Sequence, residues 1–307
     1  MEEFIDAIKK AGFKGEIERE ESAREKFAHD ASLFTMTPAL VVAPMDANDV
    51  QIPVKYVKSP LSLTPRAAGT DMSGGPLTES VLVDVLRHMN RMGEVGADYA
   101  VAEPGVFYRD FERVTLAKGL LLPSYPASRE LCAIGGLVAN NSGGEKTLAY
   151  GKTDRYVQEL SVVFSDGILR RIHSVPISEI EEGIPRLLYD LLRKNRDLLA
   201  RTHPVVSKNS AGYNLWDVLD EKNGTFDLTK LFVGSQGTIG IITEVKFRLV
   251  RPKPFSSLLV LFLPSLQPLG EIANTLLEQH PESLESYDDH TFHLAVKAFP
   301  SLSKYFT

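Results

Sequence analysis

The chain has 307 residues, 34 Lys and Arg against 40 Asp and Glu (formal net charge −6), 43% apolar and 24% charged residues. This is the composition of a folded globular protein, not a disordered one, and without a basic block it argues against nucleic-acid binding, which needs clustered cations. One cysteine, Cys132, excludes an internal disulfide and a Cys-rich metal site, and the longest apolar run, residues 258–264, falls far short of the roughly 20 residues of a membrane span.

In the N-terminal segment, residues 1–37, Phe4, Ile5, Ile8, Ile17 and Phe27 spaced among charges predict one or two short surface helices. The start, MEEFIDAIKK, has no apolar signal core, so with the lone cysteine a cytoplasmic location is expected, peripheral membrane association being left open. Residues 39–43, stopped by Pro44, predict a strand. Asp46 and Asn48 can then cap a helix with Pro53 near its start. Residues 81–84 and 99–103 predict strands, and residues 107–118 a helix closed by Gly119. Residues 158–164 and 168–172 flank Asp166-Gly167, a hairpin signal, because Asp-Gly supplies the positive φ that tight turns need.

Ser178 and Glu181 have capping-box spacing ahead of a helix whose apolar face is Leu187, Leu188, Leu191, Leu192, Leu198 and Leu199. Ile241, Thr243, Val245, Phe247 and Leu249 alternate with Glu244, Lys246 and Arg248, the pattern of a half-buried strand. A domain boundary is expected at residues 251–254, followed by a strand at 258–263, a helix at 268–279 and a second strand at 283–287. The fold class read from this order is α+β, one large domain followed by a piece too short to close its own core.

Three glycine clusters carry the chemistry. Residues 66–75, RAAGTDMSGG, lie between predicted strands. Without Cβ atoms, successive N–H groups can turn inward to form an anion cradle, with Thr70 and Ser73 adding hydroxyl donors; a long strand-connecting turn is the alternative. Residues 134–144, IGGLVANNSGG, are denser, and residues 234–240, GSQGTIG, precede the alternating strand. Three such loops in one domain point to one extended phosphate-bearing cofactor, with three independent turns as the alternative. The Gly151-Lys152-Thr153 triplet is not a nucleotide P-loop, since position 146 is Lys where that motif needs Gly. Asp288, Asp289, His290 and His293 are close enough for a metal site, but a solvated helix end explains them more simply, and no metal is expected. Cys132 reads as a small apolar filler and Trp216 as a packed aromatic. None of the seven histidines neighbours a Ser or Cys in a nucleophile-like setting.

Taken together, PRAAGTDMSGG (65–75), EPGV (103–106), PASRELCAIGGLVANNSGGEKTLAYGKTDRYV (126–157), KNSAGYNL (208–215) and LFVGSQGTIGIITE (231–244) resemble the FAD-linked oxidases of the vanillyl-alcohol oxidase/p-cresol methylhydroxylase (PCMH-type) superfamily, most of all the flavin subunits of D-lactate dehydrogenase and glycolate oxidase. The resemblance implies a PCMH-type FAD-binding domain of two α+β subdomains over residues 38–252, followed at 253–307 by the start of a ferredoxin-like cap domain. It places Arg66, Ala67, Ala68, Gly69, Thr70, Asp71, Ser73, Gly74 and Gly75 in the loop around the pyrophosphate. Pro126, Ser128, Gly135, Gly136, Asn140, Asn141, Ser142 and Gly144 fall in the second FAD-contacting stretch, and Gly240, Ile241 and Ile242 at the adenine end. Lys208 and Tyr213 fall in a segment that runs near the flavin in relatives and are the weak catalytic candidates. No tethering histidine stands in the first loop, so dissociable FAD is implied.

Two departures stand out. Residues 216–226 look inserted, and neither the His-x-Gly-Asp-Gly-Asn-like segment nor the later Glu-His pair of the relatives' cap occurs, so a truncated chain or a split gene is expected. The implied activity is oxidation of a 2-hydroxy acid (D-lactate, glycolate or D-2-hydroxyglutarate) to the 2-oxo acid, with the electron acceptor unidentified. The base would best be a histidine, yet all seven lie off the recognised motifs; Lys208 is the one cation within them offered for the substrate carboxylate. An FAD-binding module completed by another polypeptide, or a superfamily member acting on sugar or aromatic alcohols, are the alternatives.

Overall fold

Residues 1–206 and 209–305 are described by a computed structural model. The smaller sheet has two central strands too apolar to face water on either side. β1 (Glu16–Glu18), β2 (Leu40–Ala43), β3 (Leu63–Arg66) and β4 (Val81–Asp84) run in the order β1-β2-β4-β3, with β2, β4 and β3 parallel and β1 antiparallel on the edge. Every residue of β2 and β4 is buried, as a parallel sheet covered on both faces requires. One cover is the helix Ala47–Tyr56. The Asp46 carboxylate starts it by accepting the Asp49 amide at 2.9 Å. Asp46, not Asn48, is thus the cap, and Pro53 lies inside the helix, not near its start, because the Asp46 cap fixes where the helix begins. The helix Glu2–Lys10 packs Phe4, Ile5 and Ile8 into the same core. Ile17 belongs to β1 and Phe27 to a 3-10 turn, so the N-terminal segment is more than surface helix.

The larger sheet is antiparallel throughout. It comprises β5 (Met92–Val95), β6 (Tyr99–Ala102), β7 (Val157–Phe164), β8 (Leu169–Pro176), β9 (Leu219–Asp220), β10 (Thr225–Asp227) and β11 (Gly240–Arg248), in the order β5-β6-β11-β7-β8-β10-β9. The β7–β8 hairpin forms as its Asp166-Gly167 signal predicts, with Gly167 at φ +72°. β11 sits centrally and alternates as expected from Glu244 on, with Val245, Phe247 and Leu249 buried and Glu244 and Arg248 exposed, whereas Ile241, Ile242 and Thr243 are all buried beside a register shift between Ile242 and Glu244. Phe247 meets Phe111 of the helix Tyr108–Leu116 edge-on at 5.7 Å, and Phe164 meets Phe232 at 4.9 Å. Val163 and Ile241 join the core of the small sheet, while Val162 and Ile242 join that of the large one, so β7 and β11 contribute to both cores. Residues 216–226, the apparent insertion, hold β9 and most of β10, which make the edge hairpin.

The structure corrects several expectations. The Ser178–Glu181 capping box does not form. Residues Ile177–Glu179 make a 3-10 turn, and the helix Ile184–Lys194 starts from Gly183 at φ +89°, where Pro185 supplies a preset first turn. The chain breaks at Asn195 before a second helix, Arg196–Thr202, so the leucines do not share one face. Leu192 is buried, Leu188 and Leu199 are partly packed, and Leu187, Leu191 and Leu198 are exposed. Residues 258–263 and 283–287 are not strands. Neither finds a ladder partner among the described residues, and the apolar side chains of 258–263 are exposed. The helix at 268–279 forms as Leu269–Leu277. Asp288 caps the helix Asp289–Ala298 by accepting the Thr291 amide at 2.7 Å, and no group of three His, Cys, Asp or Glu among the described residues is placed to hold a metal. Among those residues, no helix is long and apolar enough to cross a membrane.

Candidate cofactor site

All three glycine clusters open on one cavity of about 550 Å³ between the two sheets, a size in the range of about 300–1,000 Å³ common for cofactor sites. The first loop leaves β3 after Arg66, whose carbonyl accepts the Val85 amide at 3.1 Å. Arg66, Ala67, Ala68, Gly69, Thr70, Asp71, Ser73 and Gly75 line the cavity. The amides of Ala68, Gly69 and Thr70, in half-exposed residues facing the cavity, have no acceptor among the described residues. A run of unpaired donors in a concave loop is an anion cradle.

Asp71 holds that loop in shape. Its carboxylate accepts the Ser73 amide (3.0 Å), the Ser73 hydroxyl (2.7 Å) and the Gly75 amide (2.8 Å). The Ser73 hydroxyl is therefore engaged within the loop, not offered to a ligand as its sequence position suggested. Burial raises the Asp71 carboxyl, but the Ser73 hydroxyl and the amides of Gly75, Ser73 and Met72 outweigh it and hold the group below its ordinary range. A carboxyl depressed on folding stabilises the loop above its unfolded pKa of about 3.9, and that contribution is lost as the pH falls through the lower folded value. Asp71→Asn is expected to weaken cofactor binding about tenfold at neutral pH, because an amide cannot accept from every donor at once. Titration of the variant with FAD checks it; unchanged affinity would remove Asp71 from the loop's architecture.

The second stretch contributes Pro126, Ser128, Gly135, Gly136, Asn140 and Ser142 to the lining, the middle of it carried by the short helix Ile134–Ala139. Gly135 and Gly136 differ sharply. A Cβ on Gly135 would lie 2.7 Å from Pro104 Cβ, whereas one on Gly136 would meet only Ala67 Cβ at 3.9 Å, in the cavity's own space. The third loop is pinned to the end of that helix. Gln236, at φ +57°, donates its amide to the Ala139 carbonyl (2.9 Å) and its Nε2 to Asn140 Oδ1 (3.0 Å), and Gly237, Gly240 and Ile242 complete the wall.

Four residues expected at the site do not line the cavity. Gly74 faces Phe34. Asn141 turns away to Asp154, donating Nδ2 to its Oδ2 at 3.1 Å and accepting its amide at 3.0 Å. Gly144 packs over the Tyr125 carbonyl, and Ile241, one step along β11 from Ile242, points into the core of the small sheet. Tyr213 is not in the lining either. Its hydroxyl shares a 2.8 Å hydrogen bond with Thr238 Oγ1, next to Gly237. Lys208 lies outside the described residues. Ala31, Met72, Leu131, Cys132 and Gln236 line the cavity without having been foreseen. The first four have no motif chemistry to flag them, while Gln236 sat inside the third cluster and needed the left-handed backbone to be noticed. No histidine is among the lining residues, and burial pushes the Cys132 thiol up to about 11, against a weaker pull from Ser128, so it stays protonated at neutral pH.

Residues 38–173 match the FAD binding domain family. The chain is 27% identical to D-2-hydroxyglutarate dehydrogenase of Pseudomonas putida over 99% of this chain and 32% of that protein. It is 32% identical to glycolate oxidase subunit GlcD of Bacillus subtilis over 76% of this chain and 41% of that one, and 26% identical to D-lactate dehydrogenase of Archaeoglobus fulgidus over 83% and 52%. The chain thus spans between 30% and 52% of the length of the relatives it matches. Among solved structures, alkyldihydroxyacetonephosphate synthase superposes with a TM-score of 0.57 at 18% identity, covering 82% of this chain and 40% of that one, a likeness of fold. The match over residues 38–173 and these relatives support the PCMH-type resemblance, and the cofactor is FAD. The lining fits it: unpaired amides for a pyrophosphate, a glycine surface that a Cβ would fill, and apolar walls for flat rings.

Proposed function

We propose that the chain is the FAD-binding part of a dehydrogenase that oxidises a small 2-hydroxy acid to the 2-oxo acid. The observation that carries this reading is the convergence of three glycine loops, one with unpaired amides, on a single cavity in a chain whose relatives are named for 2-hydroxy acid oxidation. Bound FAD supplies the hydride-accepting chemistry. The chain's own part is binding and orientation. The amides of Ala68, Gly69 and Thr70 hold the pyrophosphate, Gly136 lets the backbone approach it, and Gly240 and Ile242 border the adenine end. Residues 38–252 form this unit, and residues 253–307 begin a second one.

FAD is held without a covalent bond. In support, the lining contains no histidine, and its cysteine is buried and protonated. Acid precipitation is expected to release all flavin into the supernatant; flavin that stays with the pellet contradicts this.

The same lining favours a second reading for the proton transfer. Arg66 and Asp71 are committed to internal hydrogen bonds, so the base and the partner of the substrate carboxylate come from outside the cavity wall, with Lys208 and Tyr213 as this chain's candidates. Anaerobic addition of D-2-hydroxyglutarate, D-lactate or glycolate to the FAD-loaded chain decides between them. Bleaching of the flavin band by one of these acids supports catalysis by this chain. A yellow protein that none of them bleaches supports a binding part completed by other residues. Failure to take up FAD overturns both.

A further inference from the structure

Arg66 opens the first glycine loop, yet its side chain turns away from the cavity mouth toward the N-terminal segment. Nη1 donates to the Phe27 carbonyl (2.8 Å) and Nη2 to the His29 carbonyl (2.6 Å), with the guanidinium 5.6 Å from the centre of the Phe27 ring. The same group lies under Gly69, whose φ is +67° and where any Cβ would run into the Arg66 nitrogens. Farther along, the Ala31 amide donates to the Asp71 carbonyl (3.0 Å), Ala31 itself lines the cavity, and Phe34 covers Gly74, where a Cβ would sit 3.0 Å from its ring. Residues 27–34 thus meet the loop directly at 66, 71 and 74, and reach 69 only through the Arg66 side chain. Asp30 adds a buried Oδ2 with no hydrogen-bond partner among the described residues, and its charge favours the Arg66 cation that burial disfavours. Residues 27–34 precede residue 38, where the family match begins.

We propose that residues 27–34 are a strap that presets the shape of the pyrophosphate loop, with Arg66 the positioning residue through which it acts; the proposal rests on the FAD reading above. A glycine-rich loop left free must lose its conformational freedom on binding, whereas one already held presents its amides at no further cost. The strap makes the N-terminal segment part of the cofactor site without supplying a cofactor contact of its own from Arg66.

The test is FAD titration of the deflavinated full chain, alongside its melting temperature and cleavage by trypsin after Lys26. Arg66→Met is expected to weaken FAD about tenfold or more, since two charge-assisted bonds are lost. Arg66→Lys recovers part of this, because an ammonium can serve one carbonyl but not both at the fork spacing. Phe34→Ala, at a ring that is 61% exposed, leaves the melting temperature of the apo-protein unchanged and weakens FAD about threefold. FAD slows cleavage after Lys26 in the wild type and not in Arg66→Met. Wild-type affinity in both Arg66→Met and Phe34→Ala overturns the strap, as does a lowered melting temperature in Arg66→Met with affinity intact. Should Arg66→Met not fold, Phe34→Ala and the wild-type cleavage pattern decide. A wild-type chain that takes up no FAD overturns the functional reading as well.

Discussion

Gly136→Val is expected to give a folded protein that holds no FAD. A Cβ at this position meets nothing nearer than Ala67 Cβ at 3.9 Å, and Gly136 lines the cavity, so the added side chain is expected to take up cavity space. The site lies in the first turn of the helix Ile134–Ala139, where replacing glycine changes helix propensity by only a few tenths of a kcal/mol. Affinity is expected to fall at least about 100-fold, because the volume taken belongs to the ligand. The neighbouring Gly135→Val separates the two effects. Its Cβ would sit 2.7 Å from Pro104 Cβ and 3.1 Å from the Pro104 carbonyl, which also accepts the Gly135 amide at 2.8 Å. Overpacking there is expected to destabilise the fold by about 1–3 kcal/mol. Thermal melting with and without FAD reads both variants. Equal melting of Gly136→Val and wild type, with the FAD-dependent rise present only in the wild type, is the expected pattern.

Phe247→Ala is expected to cost about 3–5 kcal/mol of stability, much of the roughly 5–15 kcal/mol that a folded domain has. Phe247 is fully buried on the central strand β11, and its ring stands edge-on to Phe111 at 5.7 Å, joining the large sheet to the helix Tyr108–Leu116. Since β11 also carries Gly240 and Ile242 to the cavity, loss of FAD should accompany loss of the fold and not precede it. Denaturant unfolding measures the cost. A midpoint close to that of wild type would mean that β11 is not held by this core.

Much of this was legible in the sequence because it is local. The period-two alternation of residues 244–249 fixes which face of that half of β11 is buried, and Asp166-Gly167 dictates the tight turn of the β7–β8 hairpin. The glycine clusters were legible as cradles because positions such as Gly136 leave the backbone bare where a Cβ would enter the cavity. What could not be read is tertiary. Ile241 and Ile242 are equivalent in sequence, and only the pleat of β11 between two cores decides that one borders the cavity. Ser73 resembles a phosphate donor until Asp71 is seen to claim its hydroxyl. Residues 258–263 have strand composition, but a strand exists only with a neighbour to bond. Ala31 and the role of Arg66 depend on contacts between segments some 35–40 positions apart in sequence, which no motif spacing encodes.

The central claim is that the three loops bind one molecule together. Titrating the deflavinated chain with FAD tests it most directly: uptake should saturate at one FAD per chain and disappear in Gly136→Val. No uptake by the wild type, or undiminished uptake by a correctly folded Gly136→Val, would contradict the account.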